Sequence, residues 1–251
     1  MDSGDRRILK RLRRSVPLVL GLEKSIRKAA MWFQVTIHHG GNYRKNYVLR
    51  NVMANVGPTE FIPICYRVTG RNSSFFVDDC NAAEKLASLK DEIAIRGQTL
   101  LVEVRPGLPQ VVTDSTAMER IKTVIARRHD ATSKSLDLSR LHTDADLVDN
   151  FSVALFVPSM MLAVVDVVAK NFPDLEALDL SENKLYLIEN LSALPSKLPN
   201  LKVLRLGRNL IPEMRKLEGL PLEELVLAEN PLTSNIYSKA LSAFRGCLLG
   251  F

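Results

Sequence analysis

The chain is short of the residues that usually build a reactive centre. It has three cysteines, Cys65, Cys80 and Cys247, and no C-x-x-C spacing. Its four histidines, His38, His39, His129 and His142, do not cluster with them. This spacing excludes a disulfide framework and a zinc module, and it fits a reducing compartment. No P-loop, G-x-S-x-G or metal-spaced His/Asp set occurs, so the reading is of a non-enzyme with no cofactor and no metal. HHGG (38–41) reads as a strand-to-helix turn rather than an anion-binding loop. Asp78, Asp79, Asp144 and Asp146 stand at expected helix starts, where capping accounts for them. A long apolar run is also missing. The longest stretch, FSVALFVPSMMLAVVDVVAKNF (151–172), is broken by Pro158 and carries Asp166. A spanning helix needs about 20 mostly apolar residues, so this segment reads as a buried helix and no membrane partner is expected. VPLVLGL (16–22) is too short, and too soon followed by charge, for a secretory signal.

The net charge of +6 is unevenly placed. Residues 1–30 carry nine Lys/Arg against three acids, residues 31–110 nine against seven, and residues 111–251 sixteen against eighteen. The excess therefore sits in an N-terminal arm, RRILKRLRRS (6–15), with Arg6, Arg7, Lys10, Arg11, Arg13 and Arg14. Such a cluster binds polyanions by counterion release with little sequence preference. It reads as an RNA-binding arm, a nuclear localisation signal, or both; by composition alone a solvated tail stays open.

Three copies of L-x-x-L-x-L-x-x-N-x-L/I occupy the last third: LEALDLSENKL (175–185), LKVLRLGRNLI (201–211) and LEELVLAENPL (222–232). This is the leucine-rich repeat, in which each strand-plus-return unit buries its leucines only by stacking on its neighbours. SLDLSRL (135–141) reads as a degenerate first repeat with Leu141 near the asparagine position, and TDSTAMERIKTVIARRHD (113–130) as an amphipathic helix capping the open end. Alternation sends Ala177, Asp179, Ser181, Val203, Arg205, Gly207, Glu224, Val226 and Ala228 to the concave side. Arg205 and Arg208 are candidate phosphate contacts, and a protein-binding concave face is an equal alternative.

Residues 31–105 read differently. MWFQVTI (31–37), FIPICYRV (61–68), SSFFV (73–77) and TLLVEVR (99–105) have strand character. YRKNYVLRNVMANV (43–56) and DDCNAAEKLASLK (78–90) have helix character. The order β-α-β-β-α-β is that of the ferredoxin-like split βαβ and of an RRM, whose central strands stack single-stranded bases on aromatics. Against the RRM pattern, R-N-S-S-F-F-V-D (71–78) fits at Arg71 and Phe75 but has Ser73 and Asp78 where aromatics belong. Stacking should therefore be weak. Arg44, Lys45, Arg67, Arg71 and Arg105 are candidate phosphate contacts that could compensate, or ordinary solubilising charges. Phe33, Val35 and Ile37 should face the core, and Gln34 and Thr36 the solvent side with Arg67.

An RRM-like domain (31–107), a Pro-containing joint and a leucine-rich-repeat domain (113–251) form an uncommon series. With WFQVTI, RRHDATSKSLDL and LDLSENKLYLI, the chain resembles the nuclear RNA export factor (Tap-like) family over about residues 31–240. The resemblance implies an α+β RRM-like domain followed by an α/β repeat solenoid. It implies RNA contact by the RRM-like sheet and the solenoid together, membership of mRNA export complexes and work in the nucleus, with the cytoplasm open. The basic arm and the weak stacking signature add the expectation of mainly single-stranded RNA bound with low sequence specificity. The resemblance also implies partners among nuclear export or silencing proteins. Full-length members continue into domains that bind a small partner and nucleoporins, and these are absent from this chain. It reads as a fragment or a shortened paralogue, and SNIYSKALSAFRGCLLGF (234–251) stands where a closing strand belongs. The alternative function is a protein-interaction scaffold in a nuclear silencing or processing complex, docking through an exposed apolar patch at Val153, Leu155, Phe156 and Val157.

Overall fold

The structure is a computed structural model that describes residues 32–89, 93–95, 97–110, 114–149, 152–186, 191–212 and 220–233. The basic arm 6–15 and the segment 234–251 lie outside the described residues.

The first part is a four-stranded antiparallel sheet backed by two helices. Its elements are β1 (Phe33–Ile37), α1 (Lys45–Val56), β2 (Ile64–Thr69), β3 (Asn72–Val77), α2 (Cys80–Ser88) and β6 (Val102–Pro106). The strand order is β2-β3-β1-β6. A small hairpin, β4 (Ile93–Ile95) with β5 (Gln98–Leu100), follows α2; the expected last strand, 99–105, runs β5 into β6, and β4 is not foreseen by the pattern. Directly opposed residues share a face of an antiparallel pair. Val35, Phe75, Ile37, Val77 and Val102 point to the helices and are buried with Val48, Val52 and Leu86. The other face carries two rows, Ile64–Phe76–Gln34–Arg105 and Arg67–Ser74–Thr36–Glu103.

The glycines of the HHGG turn are there for packing. A Cβ on Gly40 would lie 2.3 Å from Ser73 Oγ, and one on Gly41 would lie 2.8 Å from Val68 Cγ1. The turn must nest against the β2–β3 hairpin, which only glycine allows.

The second part opens with α3 (Ser115–Arg128), whose N-terminus is capped by Asp114 accepting from Ala117 N–H at 2.7 Å. A five-stranded sheet follows in the order β11-β10-β9-β8-β7. Its strands are β7 (His129–Asp130), β8 (Ser135–Asp137), β9 (Ala177–Asp179), β10 (Val203–Arg205) and β11 (Glu224–Val226). β8 to β11 are parallel, and β7 closes the end as an antiparallel hairpin with β8. SLDLSRL is thus a true first rung. Helix α4 (Pro158–Asn171) returns the chain behind the sheet, opened by Pro158 in its first turn. The short α5 (Leu194–Lys197) does the same one repeat later.

Two ladders run along the solenoid. Asn183, Asn209 and Asn230 are all buried. Each donates back to a carbonyl of the preceding rung: Asn183 to Leu138 O, Asn209 to Leu180 O and Asn230 to Leu206 O, at 2.8–3.0 Å. Their carboxamide oxygens accept backbone N–H groups of Leu141, of Asn183 and Leu185, and of Ile211. A second ladder occupies the position just before, where the backbone is left-handed: Arg140, Glu182, Arg208 and Glu229. Their charges alternate, with Arg140–Glu182 at 3.8 Å, Arg208–Glu182 at 3.5 Å and Arg208–Glu229 at 3.0 Å.

Candidate nucleic-acid interface

The two parts meet at a packed joint. Trp32, Ile64 and Cys65 of the first part belong to the same buried cluster as the leucines of the solenoid, with Ile62 and Phe76 packed against it. Trp32 meets His142 edge-on (centroids 5.5 Å apart) and lies near Phe156 (6.3 Å), which in turn lies near Tyr186 (6.1 Å). A β-bulge makes the contact. Between Ile64 and Arg67 the register with β3 shifts, and Cys65 takes φ 53°. An extra residue in a bulge re-aims its neighbours. Here it turns the Cys65 N–H out of the sheet to donate to Val148 O at 2.7 Å. Burial pushes the Cys65 thiol above its ordinary pKa.

Polar contacts frame this apolar joint. Asp78 does not cap α2; Asp79 does, accepting from Ala82 N–H at 2.7 Å. The Asp78 carboxylate meets His142 Nε2 at 2.9 Å and Lys184 Nζ at 3.5 Å. Burial would raise its pKa, but the His142 hydrogen bond and the Lys184 charge outweigh that and hold it down at about 2. Lys45 pairs with Asp149 and lies 5.6 Å over the Tyr66 ring. Asp144, also expected to cap a helix, does accept a local backbone N–H, that of Asp146 at 3.0 Å, but it also accepts from Arg127 and Arg128 at the end of α3 (2.9 and 2.7 Å). Arg128 also donates to Ser139 O at 2.9 Å. The RRHD segment therefore locks the capping helix to the first rung.

The expected RNA contacts sort into three groups. Arg6, Arg7, Lys10, Arg11, Arg13 and Arg14 lie outside the described residues. Arg44, Arg67, Arg71 and Arg105 are exposed on the RRM-like part. Arg44 stands just before α1, beside a shallow hollow it shares with Tyr47 and Arg50. Arg67 is on the outward sheet face, Arg71 is at the β2–β3 turn, and Arg105 is on β6, donating to Glu103 at 2.9 Å. The remaining cations have acidic neighbours. Lys45 is in the joint, Arg205 lies 3.5 Å from Glu224, and Arg208 sits between Glu182 and Glu229.

Two readings are corrected. Phe75 is fully buried on the helix side of the sheet, stacked near Phe61 and Tyr66, and cannot receive a base. Side chains alternate between sheet faces, so the outward aromatic of β3 is its neighbour Phe76. The sequence holds two adjacent phenylalanines, and only the pairing register tells them apart. The patch at Val153, Leu155, Phe156 and Val157 is not exposed either. The first three are 1%, 1% and 6% accessible and Val157 is half-buried, all packed in the solenoid cluster. Its apolar character serves the joint and the solenoid interior.

Beside Phe76 the outward face forms a groove. Gln34, Arg67 and Ser74 line its floor, the bulged Cys65 one side, and Leu108, Pro109 and Gln110 of the linker the other. The linker is pinned there by Gly107 N–H donating to Trp32 O at 2.9 Å.

Comparison with known proteins fits this two-part architecture. The model of the NXF1/2 RNA-binding domain matches residues 23–104, and that of the NXF1/2/3/5 leucine-rich repeat domain matches residues 126–247. Nuclear RNA export factor 1 of Drosophila melanogaster is 39% identical over 207 residues, covering 81% of this chain and 31% of that protein. Nuclear RNA export factor 2 of Homo sapiens is 31% identical over 227 residues, covering 86% and 36%. The mRNA export factor mex67 of Schizosaccharomyces pombe is 27% identical over 186 residues, covering 70% and 31%. The chain spans about a third of the length of these relatives. Through the domains these models describe, in this order, the chain belongs to the nuclear RNA export factor family.

Proposed function

We propose that this chain is an RNA-binding protein of the nuclear mRNA export machinery. In this reading it contacts RNA through the basic arm, the RRM-like sheet and the flank of the repeat domain. The observation that carries it is family membership through a domain described as RNA-binding, whose exposed Arg44, Arg67 and Arg71 offer cations to phosphates. Single strands are the preferred form and sequence preference is low, because the outward sheet face offers one aromatic and several cations. The implied setting is the nucleus, with RNA and other export proteins as partners. The scaffold alternative loses its proposed docking patch, since Val153, Leu155 and Phe156 are buried.

The test is binding of the full chain to a mixed-sequence single-stranded RNA across a salt series. A form with Arg6, Arg7, Lys10, Arg11, Arg13 and Arg14 changed to Gln runs alongside. Affinity should fall steeply with salt. The substituted arm should flatten the log–log slope by about 0.7 for each phosphate it no longer neutralises, while leaving measurable binding at low salt. No RNA binding by the unaltered chain at low salt would remove the reading. Loss of all binding with the arm charges would confine RNA contact to the arm.

A further inference from the structure

We propose that the groove between the outward sheet face and the linker is a slot for one unpaired RNA base, stacked on Phe76 with its phosphate on Arg67. This rests on the RNA-binding reading above and assigns that reading a particular site. An ordinary RRM sheet is an open platform for two or three bases. Here the platform is cut down and walled. Along the Phe76 row, Ile64 is fully buried in the joint. Cys65 closes the same side, held there by its bond to Val148 O. On the other side stand Leu108, which is 59% exposed, and Pro109, which is buried. Phe76 is the one aromatic among the outward residues of the four paired strands.

The lining chemistry suits a nucleotide. A half-buried phenyl ring supplies a stacking face, and Leu108 supplies an apolar counter-wall. The carboxamides of Gln34 and Gln110 and the Ser74 hydroxyl can each donate and accept, which lets them meet any base edge. Arg67 is the cation of the slot, and among the described residues no acidic one lines it. Glu103, on the same sheet face, is engaged by Arg105. A base held in a duplex has its edge paired and its faces stacked, so it cannot enter a slot walled on both sides. The walls come from the linker and from a bulge held by the repeat domain, so the slot belongs to the docked pair and not to the RRM-like part alone.

The experiment uses the full chain and a labelled RNA of mixed sequence, about 20 nucleotides long, enough to span the binding site of one or two small domains. The RNA is either single-stranded or annealed to its complement. Fluorescence anisotropy compares the unaltered protein with Phe76→Leu and Leu108→Ser. Phe76→Leu keeps the apolar packing at the joint, and Leu108→Ser changes an exposed residue, so a folding defect in the first does not decide the outcome. Loss of stacking should weaken single-strand binding about 5- to 150-fold in Phe76→Leu. Leu108→Ser should lower it several-fold, and duplex binding should change less than about twofold in both. Unchanged single-strand affinity in both variants overturns the slot while the RNA-binding reading stands, and leaves the groove to a peptide. Equal losses for single strand and duplex also overturn it, because the groove would then read only backbone. An unaltered chain that binds neither RNA removes the RNA-binding reading and the slot together.

Discussion

Asn209 shows how much a single side chain can hold. Its carboxamide oxygen accepts from Asn183 N–H (2.9 Å) and Leu185 N–H (3.0 Å), and its amide donates to Leu180 O and Leu206 O. All of this lies in the interior, where an unpaired backbone group costs about 1–3 kcal/mol. Asn209→Ala would orphan at least two N–H groups, so a loss of about 2 kcal/mol or more in urea unfolding is expected. Among the described residues, Asn230→Ala would orphan only the N–H of Ile211 and should cost less. A change below about 0.5 kcal/mol for Asn209→Ala, the level of a surface substitution, would show that the ladder does not carry the solenoid. The charge ladder beside it is exposed and weaker, because exposed ion pairs contribute about 0–1 kcal/mol.

At the scale of the element, the bulge in β2 is the feature that joins the two parts. Cys65 combines a left-handed backbone (φ 53°) with full burial and an N–H bonded across the joint. Left-handed backbone is poorly tolerated by β-branched residues. Cys65→Val conserves apolar character and nearly conserves volume, so packing alone predicts little change. The backbone predicts a loss of about 1–3 kcal/mol, with the strain relieved only by opening the bulge. Chemical denaturation of the two proteins distinguishes them, and equal midpoints would show that the bulge is not a constraint.

For the whole molecule, the joint is reported by a probe already present, because Trp32 is the sole tryptophan and is buried in the joint. Asp78 is held at about 2, below an unfolded carboxylate near 3.9. A depressed carboxylate contributes stability above its unfolded pKa and loses it as pH falls through the folded one. The joint should therefore be intact above about pH 4 and weaken between about pH 4 and 2, with about 2 kcal/mol at stake. Trp32 emission should shift to longer wavelength over that window. Asp78→Asn should show a smaller acid transition at Trp32, having lost the charge that His142 and Lys184 compensate. An acid transition of the same size in Asp78→Asn would place its origin elsewhere.

Much of this was legible in the chain. Repeat strands, asparagine positions, the capping helix and the β-α-β-β-α-β order follow from hydrophobic period and spacing, which are local properties. The exposure of Arg44, Arg67, Arg71 and Arg105 also follows, since guanidinium groups without buried partners stay in water. What the chain alone left undecided depends on register and on contacts between distant residues. Phe75 and Phe76 have the same chemistry, and their roles are separated only by which one opposes Gln34 in β1. Val153 to Val157 is an apolar run whose cover includes Trp32, far away in sequence, as its neighbour Phe156 shows. Asp78 looks like a cap and Asp144 does accept the local Asp146 N–H, yet the ion-pair partners of both, His142, Arg127 and Arg128, arrive through the tertiary fold. The kinds of element and their order are therefore properties of the sequence. Which face is open, which patch is covered and which charges are engaged are decided by the docking of one part on the other.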